Sequence, residues 1–132
     1  MKLIIFDYDG VLVDSLPFLK KVYLRIADVL GIEMPKRDEY FRELLELDWR
    51  ETYKKLDILA KDKVNISEFI YHHFSKKYSD IIKPYPQIPE TIEKLSKKYK
   101  LAIVSNSFKK DIIPVLKRHG IYEYFSAARQ GV

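Results

Sequence analysis

Leu3-Ile4-Ile5-Phe6-Asp7-Tyr8-Asp9-Gly10-Val11-Leu12-Val13-Asp14-Ser15 is the stretch that decides the fold. Leu3 to Phe6 are apolar without alternation, which predicts a buried strand over Lys2 to Asp7. Asp9-Gly10 ends that strand in a turn. Ser15 then suits the N-cap of a helix with Pro17 in its first turn. Leu19, Val22, Tyr23, Ile26, Val29 and Leu30 recur at helical spacing, and Gly31 and Pro35 stop the run. A second helix is expected from about Arg37 to Leu47, and a third after Asp48, presenting Trp49, Tyr53 and Leu56. Asn65 with Glu68 resembles a capping box, which would open a fourth helix carrying Phe69, Ile70, Phe74, Tyr78 and Ile81.

Pro84, Pro86 and Pro89 mark a stiff linker. A helix through Ile92, Leu95 and Tyr99 follows, then a second short buried strand, Leu101 to Val104. Ser105-Asn106-Ser107 ends it. A last helix runs to His119 and is closed by Gly120. Pro114 fits inside that helix only if the regular part begins near Asp111. Phe125 to Val132 reads poorly as a strand. The expected order is strand, four-helix insert, linker, helix, strand, helix. A strand–helix–strand crossover makes the two strands parallel. Their carboxyl ends share one sheet edge, where open parallel sheets bind ligands. Asp7, Asp9, Ser105 and Asn106 should therefore meet there.

Composition bounds the rest. A chain of 132 residues suggests one domain by length. The absence of cysteine removes disulfides, zinc thiolates, iron–sulfur ligation and any thiol nucleophile. The net charge of +5 comes without a basic stripe interleaved with aromatics, so solvated helix faces explain it and no nucleic-acid partner is expected. Leu3 to Phe6 is far too short for a signal-peptide core or a membrane span. A soluble cytoplasmic protein without a membrane partner is the expectation.

Asp7 and Asp9 are two residues apart, so their side chains can point the same way at the end of a strand. Two close carboxylates repel unless a cation or a proton relieves them. A magnesium ion would relieve them and attract a phosphate. Gly10 would bring backbone N–H groups near that phosphate. Ser105 and Asn106, ahead of a helix, offer further donors to an anion. A calcium-binding loop starting at Asp7 fails on spacing, because its sixth and twelfth positions hold Leu12 and Phe18. A receiver-type phosphoacceptor domain normally places its acceptor after a later strand.

Asp7 to Ser15 resembles the first motif of the haloacid dehalogenase superfamily, and Ile103-Val104-Ser105-Asn106-Ser107 resembles its second. The phrasing Asp14-Ser15-Leu16-Pro17 is most like phosphoglycolate phosphatases and their β-phosphoglucomutase relatives. The resemblance implies an α/β fold: a partial Rossmann-like parallel-sheet core, residues 1–13 and 85–132, with an all-α cap of four helices, residues 14–84, inserted after the first strand. It implies a magnesium-dependent phosphatase acting on a small phosphorylated metabolite such as phosphoglycolate. A sugar phosphomutase is the alternative. Asp7 would be the nucleophile that carries the phosphoryl group and would bind magnesium, and Asp9 would give the metal a backbone carbonyl. Asp9 would also protonate the leaving oxygen and then deprotonate the attacking water. That residue is not acidic in the dehalogenases, because a halide leaves without a proton, so phosphate chemistry is favoured. Ser105 and Asn106 would hold the phosphoryl group together with Gly10, and cap closure would exclude water.

The resemblance also implies a lysine and a second acidic pair that complete the site. Lys109 or Lys110 could stand in for the lysine. After Asp111 the only acid is Glu123. Without a further strand, the edge of Leu3 to Phe6 would expose unpaired backbone and apolar surface. The chain is therefore expected to be a truncated product, or an inactive binding half whose sheet edge is completed in a homo- or hetero-oligomer. Arg42, Arg50 and Lys54 in the insert could meet a substrate's anionic tail, with solvated helix faces as the plainer reading. Asp14 could order the loop or simply precede a helix. His72 and His73 are adjacent on a helix and point apart, so they cannot chelate one ion.

Overall fold

A computed structural model of the protein describes residues 2–105 and 109–130. The chain divides into two compact units, Met1–Ser15 with Ile82–Val132, and Leu16–Ile81. The first is a mixed α/β unit and the second is all helix.

The α/β unit is built on β1 (Leu3–Asp7). After it come the short strand β2 (Val13–Asp14), the helical unit and the short strand β3 (Lys83–Pro84). Helix α5 (Ile88–Ser96), β4 (Lys100–Ser105), α6 (Lys109–Arg118) and β5 (Ala127–Gln130) complete it. The main sheet has the order β1-β4-β5 and both pairings are parallel. Leu3 lies beside Lys100 and Asp7 beside Val104. Leu101 and Ile103 are fully buried on one face, where Ile92 of α5 and Ile112, Val115 and Leu116 of α6 are buried too. Phe6, on that face, meets Phe125 edge-on with ring centroids 6.3 Å apart.

The other face corrects the reading of Leu3 to Phe6 as a buried strand. Leu3 is 54% exposed, Ile5 58% and Val104 42%. An unbroken apolar run describes a strand covered on both sides, and no element among the described residues covers this side. Among the described residues β1 is also an edge strand, as expected. The carboxyl-terminal stretch departs from expectation as well. Residues 127–130 form a strand despite weak β-propensity, because pairing along β4 supplies a ladder of backbone bonds. The chain is anchored just before it: both the backbone N–H and the hydroxyl of Ser126 donate to the Leu101 carbonyl, at 2.7 and 3.0 Å.

The helical unit comprises α1 (Leu16–Leu30), α2 (Asp38–Leu45), α3 (Trp49–Lys55) and α4 (Lys61–Tyr78). α1 buries Phe18, Val22, Tyr23, Ile26 and Ala27, and packs against α2 and α4. It ends at Gly31, with φ of 69°. There the Ile32 N–H donates to the Ala27 carbonyl and the Gly31 N–H to the Asp28 carbonyl, the paired closure of a Schellman cap. Gly120 closes α6 in the same way. Lys20 and Asp38 pair at 2.7 Å between α1 and α2, which holds the Asp38 carboxyl below its usual pKa. Asp48 caps α3 by accepting from the Glu51 N–H at 2.8 Å.

Four local expectations fail. Asn65 and Glu68 do not open α4, which starts a turn earlier at Lys61, so their capping-box spacing falls inside the helix. Phe69, expected inward, is 74% exposed, because Ser67 and Ile70 take the buried positions. The buried Ser67 hydroxyl donates to the Lys63 carbonyl at 2.8 Å, which relieves its cost. Ser15 does precede α1, yet its buried Oγ makes no hydrogen bond, so the expected cap contact is missing. Finally, α6 includes Lys109 and Lys110, so Pro114 lies within the helix on an exposed position rather than in its first turn. Among the described residues no helix is long and apolar enough to cross a membrane.

Candidate active site

The turn after β1 is held by what it buries. Tyr8 is 3% exposed, and Leu12 and Val13 are fully buried. The Tyr8 carbonyl accepts from the N–H groups of Val11, Leu12 and Val13 at 3.4, 3.0 and 3.2 Å. Gly10, at φ of 77°, reverses the chain and donates to the Val13 carbonyl at 3.0 Å. Nothing lies within 4 Å of where a Cβ would sit on Gly10, so the turn needs glycine for its backbone angle and not for space. With Tyr8, Leu12 and Val13 turned inward, Asp7 and Gly10 are left exposed and Asp9 half-buried. Tyr8 was not singled out from the sequence. Its place between two acids at the end of a strand was the available signal, since alternation sends it to the opposite face.

Asp7 ends β1, and the Tyr8 N–H donates to its Oδ1 at 2.8 Å. That bond holds one oxygen of the carboxylate at the strand's carboxyl end. β4 ends in the buried Ser105, one residue beyond the partner of Asp7 in the parallel register. Asp7 and Ser105 thus end neighbouring strands on one sheet edge, with Asp9 on the adjoining turn. Asn106 lies outside the described residues. Lys109 opens α6 with Lys110 behind it, both exposed. Asp14 is paired in register with Lys83 across β2 and β3.

Arg50, Arg42 and Lys54 all belong to the helical unit and are exposed. Arg50 stacks on Trp49, its guanidinium 5.2 Å from the ring. His72 and His73 lie on α4, as neighbours that point apart. Among the described residues no group of three or more His, Asp or Glu side chains is arranged to hold a metal ion. The side chains of Asp7 and of Asp9 on the adjoining turn offer hard carboxylate oxygens. They suit magnesium in kind, while leaving most of an octahedral shell to water.

Known proteins resemble this chain over most of its length. The chain is 27% identical over 129 residues to the phosphorylated carbohydrates phosphatase of Thermotoga maritima, covering 95% of this chain and 59% of that protein. It is 32% identical over 130 residues to the phosphoglycolate phosphatase of Aquifex aeolicus, covering 93% of this chain and 59% of the relative. A haloacid dehalogenase-like hydrolase from Streptococcus pneumoniae has the same fold, with a TM-score of 0.84 at 23% identity over the whole chain and 62% of that structure. The chain therefore spans about three-fifths of the length of these relatives. The family model for haloacid dehalogenase-like hydrolases matches residues 4–131, and the chain belongs to that family.

Proposed function

We propose that this chain carries the nucleophilic half of a magnesium-dependent phosphatase that hydrolyses a small phosphate monoester through Asp7. The observation that carries the reading is the placement of Asp7. It is an exposed carboxylate at the carboxyl end of a parallel strand, held through one oxygen by the Tyr8 N–H, with Asp9 on the adjoining turn. Oδ2 of Asp7 attacks phosphorus and the ester P–O bond breaks. Asp9 gives a proton to the departing alkoxide. Water then attacks the aspartyl-phosphate, Asp9 takes its proton, and inorganic phosphate leaves with Asp7 restored. Ser105 holds the transferring phosphoryl oxygens together with Gly10 and Asn106. Lys109 adds positive charge. Magnesium, held by the Asp7 carboxylate and the Asp9 carbonyl, would neutralise phosphate charge when bound.

Phosphoglycolate is the favoured substrate, on the phosphoglycolate phosphatase activity for which the Aquifex relative is named and the Asp14-Ser15-Leu16-Pro17 phrasing. Arg50 is assigned to the second anionic group of such a substrate. The Thermotoga relative, named as a phosphatase of phosphorylated carbohydrates, supports a phosphorylated sugar as the second reading, and a sugar phosphomutase is the alternative chemistry on such a substrate. The site is assigned to a soluble cytoplasmic enzyme.

The test is trapping of the intermediate. The protein is incubated with magnesium and p-nitrophenyl phosphate or phosphoglycolate, quenched in acid, and its peptides are weighed. A phosphoryl group on the Asp7 peptide, lost in Asp7→Asn, is the expected outcome; in Asp9→Asn it should accumulate with p-nitrophenyl phosphate, whose leaving group needs no proton, and fall with phosphoglycolate. A label elsewhere, or equal hydrolysis by wild type and Asp7→Asn, removes Asp7 as nucleophile. If wild type neither hydrolyses ester nor takes label, the chain by itself is not a phosphatase.

A further inference from the structure

We propose that the end of the α/β unit remote from Asp7 is a binding surface for single-stranded nucleic acid, with lysines on its phosphates and Tyr122 against a base. The topology builds this end. The strands are parallel and α5 and α6 connect them, so the helices run against the strands and finish where β1 and β4 begin. Lys2 and Lys100 stand side by side at the start of the two strands, and the Lys100 N–H donates to the Lys2 carbonyl at 2.9 Å. Lys97 and Lys98 follow α5, and Lys117 and Arg118 end α6. All six cations are exposed. Tyr122–Tyr124 belongs to the same end. It contacts both α5 and α6, and Ser126 just beyond it is bonded to the Leu101 carbonyl near the start of β4. No basic stripe shows in the sequence because these cations come from three separate stretches, which only the fold brings together.

Three observations point to a polyanion, and the last of them to a nucleic acid. First, the α/β unit holds eleven Lys and Arg against seven Asp and Glu, so +4 of the net charge of +5 belongs to it. Second, the lysines at this end are unmatched. Ion pairs among the described residues engage Lys20, Arg25, Lys55 and Lys94, and none engages Lys2, Lys97, Lys98, Lys100 or Lys117. The acids at this end are Glu93 and Glu123, both beside Tyr124. The carboxyl ends of α5 and α6 add about half a negative charge each, which leaves about three positive charges over. Lys2 and Lys100 begin strands, so no helix end accounts for them. Third, Tyr122 is 37% exposed, with the Lys117 ammonium 5.1 Å from its ring. An exposed ring among cations gives a base a face to stack on, which neither a lipid headgroup nor an acidic peptide needs. A flexible single strand can bend to reach cations spread over three segments, and a stiff duplex cannot.

The experiment follows the fluorescence anisotropy of a labelled oligouridine of about 20 nucleotides titrated with the chain. Three neutralised phosphates give an association constant whose logarithm falls by about 2 per decade of salt. The expected Kd is about 10 μM at about 50 mM salt, weakening to about 0.1 mM at about 150 mM. Lys97→Gln with Lys98→Gln should weaken binding at least about tenfold and reduce the slope to about 0.7. Lys76→Gln with Lys77→Gln, an equal loss of charge in α4, should change the affinity by less than about twofold. Tyr122→Ala should weaken it at least about fivefold, and Tyr122→Phe should leave it unchanged. Absence of binding at the lower salt overturns the proposal, and so does an equal loss in the two lysine pairs, which would make it an effect of net charge. An unchanged affinity in Tyr122→Ala overturns the assignment of a nucleic acid. Vesicles of phosphatidylcholine with phosphatidylserine, and polyglutamate, are the rival probes: tighter binding of either, lost in Lys97→Gln with Lys98→Gln, also overturns it. If Tyr122→Ala does not fold, ultraviolet crosslinking of a 5-bromouridine oligomer to the unaltered chain takes its place. A crosslink on the Tyr122 peptide supports the proposal, and crosslinks confined to other peptides refute it.

Discussion

Replacing Ile103 with Ala and, separately, Ile5 with Ala tests the one-sidedness of the sheet at two positions on neighbouring strands. Ile103 is fully buried in β4 and Ile5 is 58% exposed in β1. Each substitution removes three carbons, and each loses some strand propensity, up to about 1 kcal/mol. That loss cancels in the comparison. For Ile103 the lost transfer energy is about 0.8 kcal/mol per carbon, with a further cost for the cavity, so about 3–4 kcal/mol in total. For Ile5 less than half of the side chain is withdrawn from water and no cavity forms, so the cost is about 1 kcal/mol. The difference is about 2–3 kcal/mol. A chain of this size loses about 3–4 °C of Tm per kcal/mol, so the two variants should melt about 6–12 °C apart. Circular dichroism melts at one protein concentration read this directly, with urea midpoints as the check. If Ile5→Ala melts as early as Ile103→Ala, the sheet is covered on both faces in solution, and the description of an open face is wrong.

Three further outcomes are expected. Asp48→Ala removes the acceptor for the Glu51 N–H and should cost about 1 kcal/mol, visible as a lower urea midpoint, while Asp48→Asn should recover most of the loss. Gly10→Ala places a side chain at a φ of 77°, costing about 1–2 kcal/mol of backbone strain, and should lower phosphoaspartate yield beyond its effect on the melt. A control change at Gly31, at a φ of 69°, should lower the melt alike but spare the yield. Stability should also fall in alkali. Burial pushes the Tyr53 hydroxyl up to about 12, and burial with Tyr53 and Tyr71 nearby pushes Tyr23 well above its usual value of 10.0. A group whose pKa is raised by folding gives stability that is complete below the unfolded value and lost above it. The loss should therefore begin near pH 10 and continue toward 12, with Tyr53→Phe flattening it in urea titrations read between pH 9 and 12.

Much of this was legible because some residues report on the backbone alone. Asp48, Gly31 and Gly120 mark helix ends through local bonds, and the structure places caps at all three. The parallel pairing of β1 with β4 followed from one crossover rule, which also brought Asp7 and Ser105 to one edge. What failed depended on neighbours far along the chain. Residues 127–130 gain their strand from the ladder of β4, which no local propensity records. The capping spacing of Asn65 and Glu68 is chemically sound but sits a turn inside a helix that starts at Lys61. The apolar run of Leu3 to Phe6 does form a strand, yet its hydrophobicity reports only the cover it suits, not the cover it has.

The pairing of β2 with β3 has a consequence for how the chain can be rebuilt. Val13 faces Pro84 and Asp14 faces Lys83 in an antiparallel ladder, and the Tyr85 N–H donates to the Leu12 carbonyl at 3.2 Å. The points where the polypeptide leaves the α/β unit and re-enters it are therefore adjacent, as in a hairpin with an enlarged loop. Everything from Leu16 to Ile81 is in effect that loop. It could be excised and the gap bridged by a two-residue turn, or exchanged for another insert with closely spaced ends, without changing the register of Asp7 against β4. The unit that presents the carboxylates is thus a socket, and the helical unit is one of the modules it can accept.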